Sequence, residues 1–310
     1  MSDALRRAET ILRGSCGDRV RTGFPMAPLT TFRIGGPAAL YLELESEHDL
    51  AAAGEVIRGT GLPYIVVGKG SNILVSDRGF DGLVLRLGKA YRWVARNDER
   101  LAAGGAMPLP ALSGVALSYG LSGLEFGVAI PASFGGAVRM NAGAHGRELA
   151  DVLETIDVYM LTKGATRVVP AADAGFAYRC SRLPRDGVVV GATMRLSPGD
   201  PAEIQHRTEE ARDRRRRTQP LAEPNCGSVF KNPPGDHAAR LIDEAGGKGM
   251  SVGRATISMK HANFIVASEG ARAADVVALI RSVQDLVETR YGIHLEPEVH
   301  LVGGFDLEPR

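Results

Sequence analysis

The sequence predicts an α+β fold divided into two domains, on three observations. The chain has 310 residues, about twice the length of an ordinary domain. Helical and extended patterns alternate through its first two-thirds and close in a β-rich stretch. Pro198-Gly199-Asp200-Pro201 then punctuates the chain and opens a segment of different, strongly charged character.

The elements follow in order. Ser46-Glu47-His48-Asp49 reads as the cap of a helix running to about Gly59, with Leu50, Ala53, Val56 and Ile57 as its apolar stripe. Pro63 to Val67 is a short buried strand broken by Gly68 and Gly70, and Leu83 to Leu87 is another. A short helix covers Leu112 to Tyr119 and stops at Gly120. Ile156 to Met160, Thr166 to Val169 and Gly187 to Val190 are strands. Beyond the punctuation come a charged helix to about Arg217, a glycine-containing loop from Asn225 to Asn232, and a helix ended by Gly246-Gly247. Asn263 to Val266 is strand-like. Val276, Ile280, Val283 and Val287 then mark a long helix at spacings i, i+4, i+7 and i+11. Leu295 to Val302 is an extended run carrying Glu296 and Glu298.

Bulk composition excludes several classes of function. Against 37 Lys and Arg stand 36 Asp and Glu, so no electrostatic case exists for nucleic acid or an anionic membrane as main partner. The basic run Arg214 to Arg217 follows Glu209, Glu210 and Asp213 and reads as an ion-paired helix face. Cys16, Cys180 and Cys226 are odd in number and far apart, which suits a reducing compartment rather than a disulfide framework. No Cys-x-x-Cys and no close histidine pair offers a zinc site. Met1 to Gly14 lacks the continuous apolar core of a signal peptide. Leu101 to Leu124 carries no charge but contains Pro108 and Pro110, so it makes a poor membrane helix. The expectation is a cytoplasmic protein with no metal, no membrane insertion, no nucleic acid and no obligate protein partner.

Glycine is the compositional anomaly. There are 38 in all, about 12% against a background of roughly 7%, and 20 of them lie between Gly35 and Gly146. That concentration points to one backbone-lined site. Gly68-Lys69-Gly70-Ser71-Asn72 follows a strand, but its spacing fits neither a P-loop nor the dinucleotide fingerprint, because Ile73 occupies the third glycine position. Its glycines still allow successive N–H groups to face a phosphate, and Ser71 and Asn72 add side-chain donors. Gly127 to Val138, with Ser133, Gly135 and Gly136, leads into Asn141-Ala142-Gly143 without a charge before Arg139. A Gly-Gly pair beside a proline suits a flat ligand lying against backbone.

Seven motifs now stand in order along nearly the whole chain. They are Thr31 to Gly36, Gly68 to Asn72, Ile130 to Gly143, Tyr178-Arg179, Gly227 to Pro233, Lys260 to Phe264, and Leu295 to Val299. As an ordered set they resemble the UDP-N-acetylenolpyruvoylglucosamine reductase family, in its shorter type. The resemblance implies a two-part FAD-binding domain of the vanillyl-alcohol-oxidase type over residues 1–200, with subdomains of about 1–87 and 88–200. A separate α+β substrate-binding domain spans 201–300, and a tail, 301–310, returns to the FAD domain. It also implies FAD as cofactor, NADPH as co-substrate, and UDP-N-acetylglucosamine enolpyruvate as the molecule reduced on the way to peptidoglycan. Ala132 and His145 depart from the family pattern, the latter at the mouth of the site.

The same resemblance assigns roles. Gly68, Lys69, Gly70, Ser71, Asn72, Ser133, Gly135, Gly136, Asn141 and Gly143 hold the cofactor, and Lys231 and Asn232 contact the substrate. Hydride passes from NADPH to flavin N5 and then to the enolpyruvyl methylene carbon, leaving negative charge on the adjacent carbon and its carboxylate. Arg179 supplies a bidentate cation for that charge, Ser228 donates the proton, and Glu298 assists in protonated form. Cys226 is a second candidate acid by residue type. Two alternatives stay open: a flavin oxidase of the same superfamily acting on another substrate, and a flavin- or nucleotide-binding sensor.

Overall fold

The structure is a computed structural model that describes residues 2–305. The chain divides into two compact units. The first comprises the residues up to Thr22, Leu40–Lys69 and Gly82–Arg215; the second comprises Gly23–Ala39, Gly70–Asp81 and the residues from Arg216 onward. The punctuation at 198–201 marks the start of a helix, whereas the division between units comes at Arg215–Arg216.

In the first unit, helix α1 (Asp3–Cys16) buries Leu5, Ala8, Leu12 and Cys16 on one face. Helix α2 (Glu47–Thr60) begins where the sequence indicates. The Ser46 hydroxyl accepts from the Asp49 amide at 3.2 Å, and Gly61 closes the helix in left-handed conformation. Strands run in the order Val20–Pro25, Pro37–Leu44, Phe80–Leu87, Tyr64–Val66, the last two parallel with Tyr64 opposite Leu83. A second, antiparallel sheet has five strands in the order Ala165–Pro170, Leu153–Met160, Gly187–Arg195, Arg100–Gly104, Val94–Asn97. Its inner face packs on Phe134, Leu109 and Leu112, all fully buried with Ile156, Val158 and Met194.

Helix α3 (Leu109–Ser118) starts three residues earlier than its apolar pattern suggests, because Pro108 and Pro110 serve as its cap and first turn. The uncharged stretch Leu101–Leu124 is thus divided between a sheet strand and a helix. Among the described residues, no helix is long and apolar enough to cross a membrane. Helix α4 (Phe134–Arg139) packs on the Gly187–Arg195 strand, and α5 (Pro201–Thr218) is the charged helix.

In the second unit, α6 (Ala238–Glu244) and α7 (Ala273–Tyr291) cover the three-stranded sheet Ser251–Val252, Ala255–Ile257, Ile265–Ala267. Val276, Leu279, Val283 and Val287 of α7 are fully buried with Phe230. The Asp77 carboxylate accepts from the Ala273 and Ala274 amides at 2.8 and 3.1 Å, satisfying the first turn of α7. Only His300–Val302 of the expected extended run forms a strand, pairing in parallel with Ile73–Val75. Pro297, which has no N–H to give, interrupts regular pairing and leaves a single bridge to Phe230. Residues 306–310 of the expected tail lie outside the described residues.

Candidate active site

The expected cofactor residues divide between the two units. In the first, the Gly68 loop and the start of α4 meet: a Cβ on Gly68 would run into the Ser133 hydroxyl. Gly135 is squeezed harder. A Cβ there would stand 2.7 Å from the Val189 carbonyl oxygen and 3.2 Å from that of Gly105, while its own amide donates to Gly105 at 2.8 Å. Backbone approaches this close exclude any side chain. Around these loops lies a cleft that also takes in Lys69, Gly136 and Gly187. Four of its lining side chains, Lys69, Arg86, Arg92 and Arg139, are cationic, and none is a carboxylate.

Arg139 carries the most consequential of those charges. Burial pushes its guanidinium below the usual arginine range, with Tyr64 and Asp186 acting the other way. Its donors go to the carbonyl oxygens of Leu183, Pro184 and Gly187 at 3.5, 3.1 and 2.5 Å, which satisfy hydrogen bonding without supplying a formal countercharge. Asp186 acts on that charge from nearby, and an anion in the cleft would add to it.

Asn141 and Gly143 do not line this cleft. Gly143 pairs with Glu148 in a tight hairpin whose tip is His145-Gly146, and a Cβ on it would strike the Arg147 carbonyl. The His145 ring is exposed at that tip; burial of part of it and the nearby Arg214 charge push its pKa down. Asn141 is fully buried and bonded to backbone on both sides of its amide, to Ala150 N–H and Ala177 C=O. Arg179 also belongs to the first unit, on a two-residue turn closed by reciprocal 3.0 Å bonds between Ala177 and Cys180.

The second unit gathers Gly70, Ser71, Asn72, Ser228, Lys231, Asn232 and Glu298. The segment carrying Ser228 is held on two sides. Asn263, from the Lys260–Phe264 motif, accepts from the Phe230 amide at 2.9 Å and donates to the Phe230 carbonyl at 2.8 Å. On the other side, the Glu298 amide donates to Val229 at 2.7 Å and the Lys231 amide to Glu296 at 2.9 Å. Ser228 and Glu298 therefore sit on adjoining, rigidly paired backbone. Asn72 joins them: its side chain donates to the Glu298 carbonyl at 3.2 Å, and its own carbonyl accepts from His300. Glu298 is partly buried whereas Glu296 is exposed and bridges Lys231 at 2.5 Å, so the structure separates two carboxylates that strand alternation alone treats alike. The Asn232 side-chain oxygen accepts from the Ala238 amide at the start of α6. Cys226 is buried, and its thiol is pushed up, first by burial and then by the Glu298 charge. That shift works against the thiol as an acid.

Comparison with known proteins shows which family these two sets of residues belong to. Residues 219–302 match the model described as UDP-N-acetylenolpyruvoylglucosamine reductase, C-terminal domain, and residues 38–169 match an FAD binding domain. The UDP-N-acetylenolpyruvoylglucosamine reductase of Heliobacterium modesticaldum is 47% identical over 281 residues, covering 90% of this chain and 89% of that protein. Its counterpart in an Anaeromyxobacter species is 45% identical over 306 residues, covering 99% and 95%. The chain belongs to the UDP-N-acetylenolpyruvoylglucosamine reductase family. A crystal structure of the reductase from Thermus caldophilus superposes with a TM-score of 0.79 at 41% identity, over 90% of this chain and 97% of that one.

The reductase is accordingly a flavin-dependent oxidoreductase of peptidoglycan synthesis, with FAD as cofactor and NADPH as co-substrate. The first-unit cleft fits such a cofactor on its own chemistry: glycine-lined walls allow backbone contact, and four cations without a carboxylate suit a diphosphate. Arg86, Arg92 and Arg139 were not among the residues expected there. Arg139 follows the Gly135-Gly136 pair by a single helical turn, a spacing from which its position is readable. Arg86 and Arg92 lie outside every motif; Arg86 is brought in by the Phe80–Leu87 strand and Arg92 by the short turn that follows it.

Proposed function

We propose that this reductase uses NADPH and FAD to reduce UDP-N-acetylglucosamine enolpyruvate to UDP-N-acetylmuramate, with hydride reaching the methylene carbon from flavin N5 and a proton reaching the adjacent carbon from Ser228. Bound FAD supplies two-electron hydride chemistry; the remaining work falls to side chains. Charge develops on the carbon beside the substrate carboxylate, and the planar fork of Arg179 is suited to stabilise it through that carboxylate. Ser228 Oγ gives its proton to the carbon, and Glu298 stabilises the same centre from the adjoining segment. Lys231 and Asn232 serve the sugar or diphosphate, with Lys231 tied to Glu296 until substrate arrives. The observation that carries the reading is the pairing of the Ser228 and Glu298 segments through Val229 and Lys231, with Asn263 holding the Ser228 segment from its other side. Such a pairing pre-organises two groups for one reacting carbon. Buried reduced thiols at Cys16 and Cys226 agree with a cytoplasmic location, which belongs to the same proposal.

The test is NADPH consumption, with and without oxygen and with and without the enolpyruvyl sugar nucleotide. Oxidation that requires the sugar nucleotide supports the reading. Oxidation that instead requires oxygen identifies an oxidase, and bound flavin with no turnover identifies a binding protein.

A further inference from the structure

Among the described residues, five non-glycine positions adopt left-handed backbone, and two of them, Asn141 (φ 43°) and Arg179 (φ 55°), belong to one hydrogen-bonded assembly. Asn141 lies immediately beyond α4. Its amide donates to Val138 at 3.1 Å and the Ala142 amide donates to Ala137 at 2.8 Å, the pattern of a Schellman termination with Asn141 in the left-handed position. Glycine fills that position at less conformational cost, so an asparagine there needs a reason in its side chain. The side chain supplies one. Its oxygen accepts from the Ala150 amide at 2.9 Å, and its nitrogen donates at 3.2 Å to the carbonyl of Ala177. Ala177 is the first residue of the turn that holds Tyr178 and Arg179. Three further bonds tie α4 to the same segment: the Ser181 hydroxyl donates to the Arg139 carbonyl at 2.7 Å, and the Arg139 guanidinium donates to the carbonyls of Pro184 and Gly187.

We infer that Asn141 is a positioning residue for Arg179: it fixes the strained 177–180 turn to the end of α4, whose first turn forms the cofactor cleft. The inference rests on the proposed role of Arg179 and gives Asn141 a task other than binding the cofactor. A residue in left-handed conformation on an exposed two-residue turn holds its place only when its surroundings over-determine it. Asn141, Ser181 and Arg139 provide that determination from one side, and the Ala177–Cys180 bonds provide it from the other. Glycine at 141 would retain the helix termination and delete only the link to Ala177 and Ala150.

Asn141→Gly is therefore the decisive variant. Retained FAD, NADPH-driven flavin bleaching within about 3-fold of wild type, and substrate-driven reoxidation slower by about 10-fold or more are expected. In an Arg179→Ala background the same change should add almost nothing, because residues acting as a unit are not additive. Hydrogen exchange at the Cys180 amide should quicken in Asn141→Gly whether or not the enzyme turns over. That readout keeps this inference separate from the assignment of the reaction: a wild type that never reduces the enolpyruvyl substrate overturns the latter, and exchange at Cys180 still decides the clamp. Lost flavin, equal slowing of both half-reactions, full additivity with Arg179→Ala, or unchanged exchange at Cys180 overturns it. Should Asn141→Gly not fold, Ser181→Ala removes the neighbouring bond and is expected to slow the same half-reaction to a smaller degree; no change there overturns the clamp.

Discussion

At Ser228 and Cys226, two residues apart, the same chemistry is open to two donors, and their surroundings choose between them. Cys226 is buried and its thiol is raised by burial and by Glu298, so its proton is harder to give than residue type suggests. Cys226→Ala should leave substrate-driven flavin reoxidation within about 3-fold of wild type; a loss near 100-fold, the size expected for a true general acid, would transfer the role to the thiol. Arg179→Lys keeps the charge and loses the fork, and steady-state kinetics should show kcat lower by about 100-fold. A drop confined to KM would mean that Arg179 contributes only ground-state binding. Which arginines line the cofactor cleft was legible only in part. Arg139 follows a glycine pair in sequence, but Arg86 reaches the cleft on a sheet strand and Arg92 on the turn after it, which no local motif records.

At the scale of elements, α1 and α2 are joined by a buried charge. Burial works to raise the Asp49 carboxyl. Two hydrogen bonds from Arg19 at 2.5 and 2.6 Å, the Glu45 amide and the Cys16 thiol outweigh it and hold the group below the usual carboxylate range. A carboxylate depressed in the fold contributes stability that is present above its unfolded value, about 3.9, and disappears as pH falls through the lower folded value. Asp49→Asn should lower unfolding free energy at pH 7 by about 3 kcal/mol. The gap to wild type should narrow below about pH 4. Urea titrations followed by Trp93, the chain's single tryptophan, report on the unit that contains Asp49. Equal gaps at pH 7 and pH 3 contradict the account. Helix α2 was legible to within a residue or two because Ser46 and Gly61 are unambiguous caps. Helix α1 escaped because Arg6, Arg7, Glu9 and Arg13 crowd its short stripe, and α4 because two glycines in six residues argue against helix on propensity alone. The strand Arg100–Gly104 was hidden by Ala102 and Ala103, which carry no β preference; the sheet around them selects the conformation.

At the scale of the molecule, the glycine excess resolves into packing. Gly135 sits where strand backbone leaves no room for a methyl group, so Gly135→Ala should release FAD, seen as a fall in flavin absorbance per chain after gel filtration. Gly68→Ala meets the Ser133 side chain, its hydroxyl and Cβ, rather than backbone and should retain more flavin; equal retention by both variants would contradict this ranking. The motifs were legible because each occupies contiguous sequence. The division into units was not, because Gly23–Ala39 and Gly70–Asp81 group with the C-terminal part of the chain through pairing such as Ile73–Val75 with His300–Val302. The proposed delivery of a proton by Ser228 after hydride transfer can be isolated by separating the half-reactions of Ser228→Ala in a stopped-flow instrument. Flavin bleaching by NADPH should proceed at the wild-type rate, and reoxidation by the enolpyruvyl substrate should slow by at least about 100-fold. Reoxidation at the wild-type rate would contradict the proposal.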